Sequence, residues 1–319
     1  MIPVGWLGRE NIENCYEVLD SVFPACGLYD FTEGIFSTDQ EIQFSEIQEK
    51  QYSFILDELK FEPGQKILDI GCGNGGLLNY IRDLKGEGVG VTISPQQAER
   101  CRQWGLEVYL LDYREMATQL EWHSFDGIIA NGSMEHFVQA RDAAAGHGDA
   151  IYRNLFYLCH RLLKRESASR RLVTTCIHFG DVVLNPFEVM GSPFFKAFKS
   201  NQFYYTWLVK CFGGFYPYSG QLARCSAPFF SLDKEVDGTF DYERTSEIWL
   251  KEIRDQLWRK KWGWPLWRLF LKSCRRAPIH SFNMLVGLLL FESWQWQFRG
   301  PKPPMQLLRQ TWSAPAPII

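Results

Sequence analysis

Residues 66–81 read KILDIGCGNGGLLNYI. An apolar run ends at Asp69, crosses Gly71, Gly73 and Gly75, and continues as the helical pattern LLNYI. Glycines at such a junction let the chain turn tightly and let a ligand lie against bare backbone at a helix N-terminus. The bland alternative is a glycine turn that only packs a helix, but the strand–turn–helix setting favours a bound group. The spacing is GxGxG, whereas a dinucleotide fold needs GxGxxG and an acidic ribose partner about twenty residues on. The second apolar run ends in Thr92, Ser94 and Gln97 instead. That pattern argues against a nicotinamide or a flavin.

Outward from this junction, short β-rich runs alternate with helical ones. GVGVTIS (88–94), LEVYLLD (106–112), FDGIIANG (125–132) and RRLVTTCIHF (170–179) read as strands. LLNYIRDL (77–84), PQQAERCRQWG (95–105) and AIYRNLFYLCHRLL (150–163) read as helices. The alternation implies parallel pairing through right-handed crossovers, and strands apolar on both sides imply helices on both faces. The expected fold is a doubly wound α/β sheet. Helical periodicity over 9–22 and 40–60 makes residues 1–60 an N-terminal helical cap on a core at 61–180. Residues 181–300 form a helical insertion with one outer strand, FFSLDKEVDG (229–238), and 301–319 supply a closing strand, MQLLRQTW (305–312).

The 46% hydrophobic and 22% charged content allows a packed core and excludes disorder, and a net charge of -3 gives no global field for nucleic acid. Nine cysteines are scattered, with no CxxC pair and no zinc spacing, so they read as reduced thiols and no metal is expected. MIPVGWLGREN lacks the basic start of a secretory signal, and FNMLVGLLLF (282–291) is too short to span a bilayer. The expectation is a cytoplasmic protein, free or peripheral at a membrane surface. Nine of the twelve Trp lie beyond residue 200, which puts the aromatic excess in the insertion.

Five segments in register resemble the cyclopropane-fatty-acid synthase and mycolic-acid methyltransferase family. They are LDIGCGNGG, GVTISPQQ, LDYREM (111–116), SMEHF (133–137) and YERTSEIW (242–249), followed by the closing stretch QFRGPKPPMQLLRQTW. The resemblance covers roughly 29–312. It implies a seven-stranded class I methyltransferase sheet and S-adenosylmethionine held by Gly71, Gly73, Thr92 and Gln97, with Tyr113 and Arg114 near the adenine. Phe31, Thr32, Asp69, Gly75, Ser94 and Asn131 complete the expected cofactor set. The family transfers a methyl group to an alkene carbon. A bicarbonate ion held by Cys, Glu, His and Tyr then takes a proton. Here Glu135 and Tyr242 occupy two of those positions, while the Cys position falls at Glu33 and the His position near Thr175, with His178 three residues on. Two of four ligands are absent, which puts bicarbonate in question. Glu33, Glu135 and Tyr242 become the catalytic candidates, with Glu33 either replacing the anion and titrating with Glu135 or facing solvent at a helix start.

The insertion segment FFKAFKSNQFYYTWLVKCFGGFYPYSG (194–220) suits an apolar acceptor. The stretch 251–276 carries nine Lys/Arg against two acidic residues, interleaved with Trp and Leu. It reads either as an interfacial helix pair for anionic headgroups or as an ordinary amphipathic helix with its Trp in the core. The expected activity is C-methylation of an unsaturated acyl chain or similar lipid. Methylation of an amine or isoprenoid and a catalytically silent binding subunit are the rivals, and homo-oligomerisation is open.

Overall fold

A computed structural model describes residues 6–28, 30–36, 43–167, 169–258 and 263–315. Seven strands form one sheet in the order β3-β2-β1-β4-β5-β7-β6. They are β1 (Lys66–Ile70), β2 (Glu87–Thr92), β3 (Glu107–Leu110), β4 (Gly127–Asn131), β5 (Arg171–Phe179), β6 (Ser231–Asp237) and β7 (Met305–Ser313). The first five pair in parallel. β7 inserts antiparallel between β5 and β6, in unbroken register from Arg171 opposite Ser313 to Phe179 opposite Met305. The sheet is thus the mostly parallel, doubly wound one that the alternation implies.

Burial explains the strand composition. Ile67, Leu68 and Ile70 of β1 and Ile128 and Ile129 of β4 are buried, because helices cover both faces of the central sheet. Helix α2 (Phe44–Leu59) lays Ile55 and Leu59 against Ile67, Ile129 and Val173. α3 (Gly76–Asp83) and α4 (Pro95–Gln103) cover the strands on the β2 side, with Leu78, Ala98 and Cys101 packed together. α4 starts sharply: Ser94 accepts the Gln97 N–H and Pro95 sets the first turn.

Strand order reverses between β1 and β4, so their C-terminal ends diverge and leave a crevice. Two separate parts of the chain roof that crevice. One is α1 (Trp6–Val22). The other is the segment after β5, with α5 (Asn201–Phe212), α6 (Thr239–Trp258), α7 (Gly263–Arg276) and α8 (Pro278–Asn283). α1 packs on α5, α7 and α8. Phe23, Trp249 and Trp294 join these pieces, with ring centroids 5.0 to 6.0 Å apart. Residues 259–262 of the basic stretch 251–276 lie outside the described residues, as do 37–42 and 316–319.

Candidate active site

The turn after β1 is held by sterics that only glycine satisfies. Gly71 has φ +86°, and a Cβ there would sit 2.6 Å from the Ser133 Cβ. Ser133, just past β4, donates its hydroxyl to the Ile70 carbonyl at 2.7 Å and locks the two strand ends together. Gly73 has φ +53°, and the space its Cβ would point into is open. That is a cradle in which a ligand can touch backbone. Gly75 differs: a Cβ there would meet Leu106 and Cys101 at 2.7 and 2.8 Å. Gly75 packs against these side chains and is not among the cavity-lining residues.

A cavity of about 1490 Å³, its open mouth included, extends from this cradle under the roof. Asp69, at the end of β1, is buried in its wall with Oδ1 lacking a hydrogen-bond partner among the described residues. Burial first, and then the nearby Asp30, push its carboxyl up to about 7. Asp30 accepts the Thr32 N–H at 2.8 Å and also the Tyr52 hydroxyl. Two acids in one dry corner favour a cation there. Phe31 and Thr32 line the same corner, the Thr32 hydroxyl lying 2.9 Å from Gln51 Oε1. Asn131 lines it as well, its Oδ1 accepting the Thr175 hydroxyl at 2.6 Å.

The β2 side supplies Thr92 and Gln97, joined by a 2.8 Å hydrogen bond from the Thr hydroxyl to Gln97 Oε1. Behind them stands a carboxylate that the sequence around β2 lacks. Asp20 of α1 accepts from Ser94 Oγ at 3.1 Å and from Gln97 Nε2 at 3.3 Å. Burial pushes Asp20 up to about 6 against these bonds and the charge of Arg100. Ser94 therefore caps α4 and ties α1 down and does not line the cavity. Further along, Asp112 caps a short turn and accepts the Arg114 N–H at 3.0 Å, and Tyr113 stacks on Phe137 at 4.3 Å, giving a flat aromatic wall.

The far end of the cavity is aromatic. Tyr16, Phe212, Tyr216, Tyr242 and Trp294 line it together with Glu135 and His136. The Tyr216 hydroxyl donates to Gln297 Oε1 at 3.1 Å. Glu135 is buried and its Oε2 has no hydrogen-bond partner among the described residues. Burial, with a contribution from Glu33, pushes its carboxyl up to about 8. Tyr242 is raised well above the tyrosine range by burial and then by Glu135 and Glu33. His136 is depressed to about 4 by burial, so it is neutral, and its Nε2 lies 3.4 Å from the Tyr16 hydroxyl.

Glu33 does not face solvent, and its charge does raise Glu135, but it does not stand in the cavity in place of an anion. It is buried, but it is not among the residues lining the cavity, and it pairs with Arg309 Nε of β7 at 3.0 Å. Arg309 also reaches Asp241 at 2.9 Å. Burial raises the Glu33 carboxyl above its ordinary value, against the opposing pull of Arg309. Thr175 is engaged with Asn131, and His178 is buried with Nδ1 3.0 Å from the Cys176 carbonyl. Both are structural. The four-residue set that the resemblance implies for bicarbonate is thus incomplete: Glu33 is held by Arg309 and Thr175 by Asn131, so bicarbonate lacks two of its holders. S-adenosylmethionine fits: the Gly73 cradle is open, the unpaired Asp69 Oδ1 suits a cationic group, and Thr92 and Gln97, bonded to each other, line the cavity where the second strand ends. Among the described residues, no His/Cys/Asp/Glu cluster could hold a metal ion.

Sheet order and cradle together define the class I methyltransferase type of α/β protein. The family model described as mycolic acid cyclopropane synthetase matches residues 9–277. The chain is 29% identical over 213 residues to the cyclopropane-fatty-acyl-phospholipid synthase of Escherichia coli (strain K12), covering 65% of this chain and 46% of that protein. It therefore spans about half the length of that relative. The cyclopropane synthase MmaA2 from Mycobacterium tuberculosis superposes with a TM-score of 0.70 at 18% identity, over 95% of this chain and 97% of that one. The mycolic acid cyclopropane synthase CmaA1, solved with SAH and CTAB, gives 0.70 at 20% identity over 95% and 97%. This chain belongs to the mycolic acid cyclopropane synthetase family.

Proposed function

We propose that this chain is an S-adenosylmethionine-dependent C-methyltransferase whose acceptor is the double bond of an unsaturated acyl chain. The observation that carries the reading is one cavity joining an open glycine cradle beside the unpaired Asp69 Oδ1 to an aromatic chamber holding the unpaired Glu135 Oε2. Family membership supports it, as do the printed names of the relatives.

When bound, the cofactor would supply an electrophilic methyl group on a positive sulfur. Gly71, Gly73, Asp69, Thr92, Gln97, Tyr113 and Arg114 would hold and orient it. The residues themselves supply placement, dryness and a proton acceptor. Aligning alkene and donor in a fixed cavity removes up to about 7–11 kcal/mol of barrier in ideal cases. Methyl transfer to an alkene leaves a cation on the neighbouring acyl carbon, and the roof of Tyr16, Phe212 and Trp294 keeps water from it. Aromatic faces stabilise such a cation. Glu135 Oε2 accepts the proton that then leaves the acyl chain, and the electron pair of the broken C–H bond closes the product. A carboxyl near 8 is mostly protonated at neutral pH, and a cation bound nearby favours its ionised form.

The test is turnover of labelled cofactor with unsaturated acyl chains dispersed in detergent. Label in the acyl chain supports the reading. Label appearing only in added amines would overturn it.

A further inference from the structure

The segment between β5 and α5 exposes side chains that a water-facing surface avoids. Phe187, Phe194, Phe195 and Phe198 are 66%, 63%, 90% and 65% exposed, and Leu290 is 68% exposed. These residues surround one helix. α5 packs against Pro186–Val189, Pro193–Phe195 and Met284–Leu290. Phe194 meets Trp207 of α5 at 5.3 Å, and Phe198 meets Phe203 at 5.3 Å and Phe291 at 6.0 Å. Single exposed apolar residues need no explanation, but a cluster of this kind marks a contact surface.

Charge says what kind of contact. No Asp or Glu occurs between Glu188 and Asp233, while Lys196 and Lys199 interleave with the phenylalanines. The Lys199 ammonium lies 5.6 Å from the Phe198 ring centroid. Lys199, Leu290 and Lys302 share one surface cleft. The acid in that cleft, Glu292, is already paired with Arg254 and Arg299, each at 2.8 Å. Rings flanked by ammonium groups, with Glu292 neutralised and Glu188 left as an exposed acid at the edge beside Phe187, match the boundary between acyl chains and anionic headgroups. The basic stretch 251–276 does not carry the argument. Its Arg254 is committed to Glu292, its Trp267 packs against the core, and 259–262 are outside the described residues.

We propose that this face docks the enzyme on an anionic lipid bilayer, with Phe187, Phe194, Phe195 and Phe198 in the interface and Lys196 and Lys199 on the headgroups. The proposal rests on the acyl-acceptor reading, and α5 ties the face to the cavity wall. α5 begins beside Phe198 and ends at Phe212, which lines the cavity. At 1.5 Å per residue that separation is about 18 Å. Leu290 and Trp294 make a second such link, one in the exposed face and one in the cavity wall.

The experiment is co-sedimentation of the full chain with phosphatidylglycerol vesicles and with phosphatidylcholine vesicles, for wild type, the double variant Phe187→Ser/Phe195→Ser and the double variant Lys196→Glu/Lys199→Glu. Wild type is expected to bind the anionic vesicles at least about tenfold more tightly than the neutral ones. Each variant is expected to lose at least about tenfold on the anionic vesicles, with thermal midpoint, cofactor affinity and turnover of a detergent-dispersed acceptor unchanged. Wild type that stays in solution would overturn the proposal. So would variants that bind like wild type, or a wild-type dimer in light scattering that the phenylalanine substitutions dissolve, since the face would then belong to a second copy. Intact vesicle binding with no turnover of the dispersed acceptor would sink the acyl-acceptor reading instead and leave the surface standing.

Discussion

Glu135 sits just past β4 with one carboxylate oxygen unpaired, in a chamber that also holds Tyr242. If it takes the proton, Glu135→Gln keeps size and most contacts but removes the acceptor. The expected result is a fall in kcat of roughly 10²–10³-fold at saturating acceptor, with cofactor affinity by calorimetry little changed. Glu33 belongs to a different class of residue. Its partner lies 276 positions away, so no reading outward from the glycine loop could find Arg309. Replacing Arg309 by Met leaves Glu33 and Asp241 facing each other in a dry site. That is expected to cost about 3–5 kcal/mol in chemical denaturation, because an unpaired buried charge is worse than no charge. Adding Glu33→Gln to the Arg309→Met protein is expected to restore part of the loss. A catalytic Glu33 would instead cost activity without this rescue of stability. The positions of Glu135 and Tyr242 in the cavity wall, by contrast, can be read, since both stand in motifs that the chain order keeps in register.

At the scale of elements, the strands and helices of the central sheet could be read directly. Apolar runs bounded by glycine carry a period that the burial of β1 and β4 enforces. What could not be read is which element closes over which. The absence of a carboxylate after β2 is real in sequence, yet Asp20 of α1 arrives there through space and binds Ser94 and Gln97. The one hint was an acid beside the buried stripe Ile12, Cys15 and Leu19 of an amphipathic helix. Because these bonds fasten α1 over Gln97, Asp20→Ala is expected to weaken cofactor binding about tenfold, the effect of one charged hydrogen bond worth about 1.5 kcal/mol. Isothermal titration of the variant measures it. The glycine turn makes a stricter demand. Gly71→Ala combines a left-handed backbone with a clash against Ser133, so cofactor binding is expected to vanish in the same titration while far-ultraviolet dichroism stays native.

Among the described residues four buried carboxyls are raised: Glu33, Asp20 to about 6, Asp69 to about 7 and Glu135 to about 8. Each holds its proton in the folded protein at a pH where the unfolded chain has lost it. Their contribution to stability is therefore full below the ordinary carboxylate range and is lost as pH rises through these values. Thermal midpoints of the cofactor-free protein are expected to decline between about pH 5 and pH 8, and less steeply in Glu135→Gln. A cation bound between Asp69 and Glu135 lowers both values, so cofactor binding at neutral pH is expected to release protons. Calorimetry in buffers of different ionisation heat reads that release directly. It would be absent if the cavity held an uncharged ligand. The most direct measurement of the central claim is mass spectrometry of unsaturated phospholipid vesicles incubated with the protein and methyl-deuterated S-adenosylmethionine. The account requires acyl chains heavier by one labelled carbon unit, with the label at the position of the former double bond. Acyl chains that come back unlabelled, while the cofactor is consumed on some other acceptor or not at all, would contradict it.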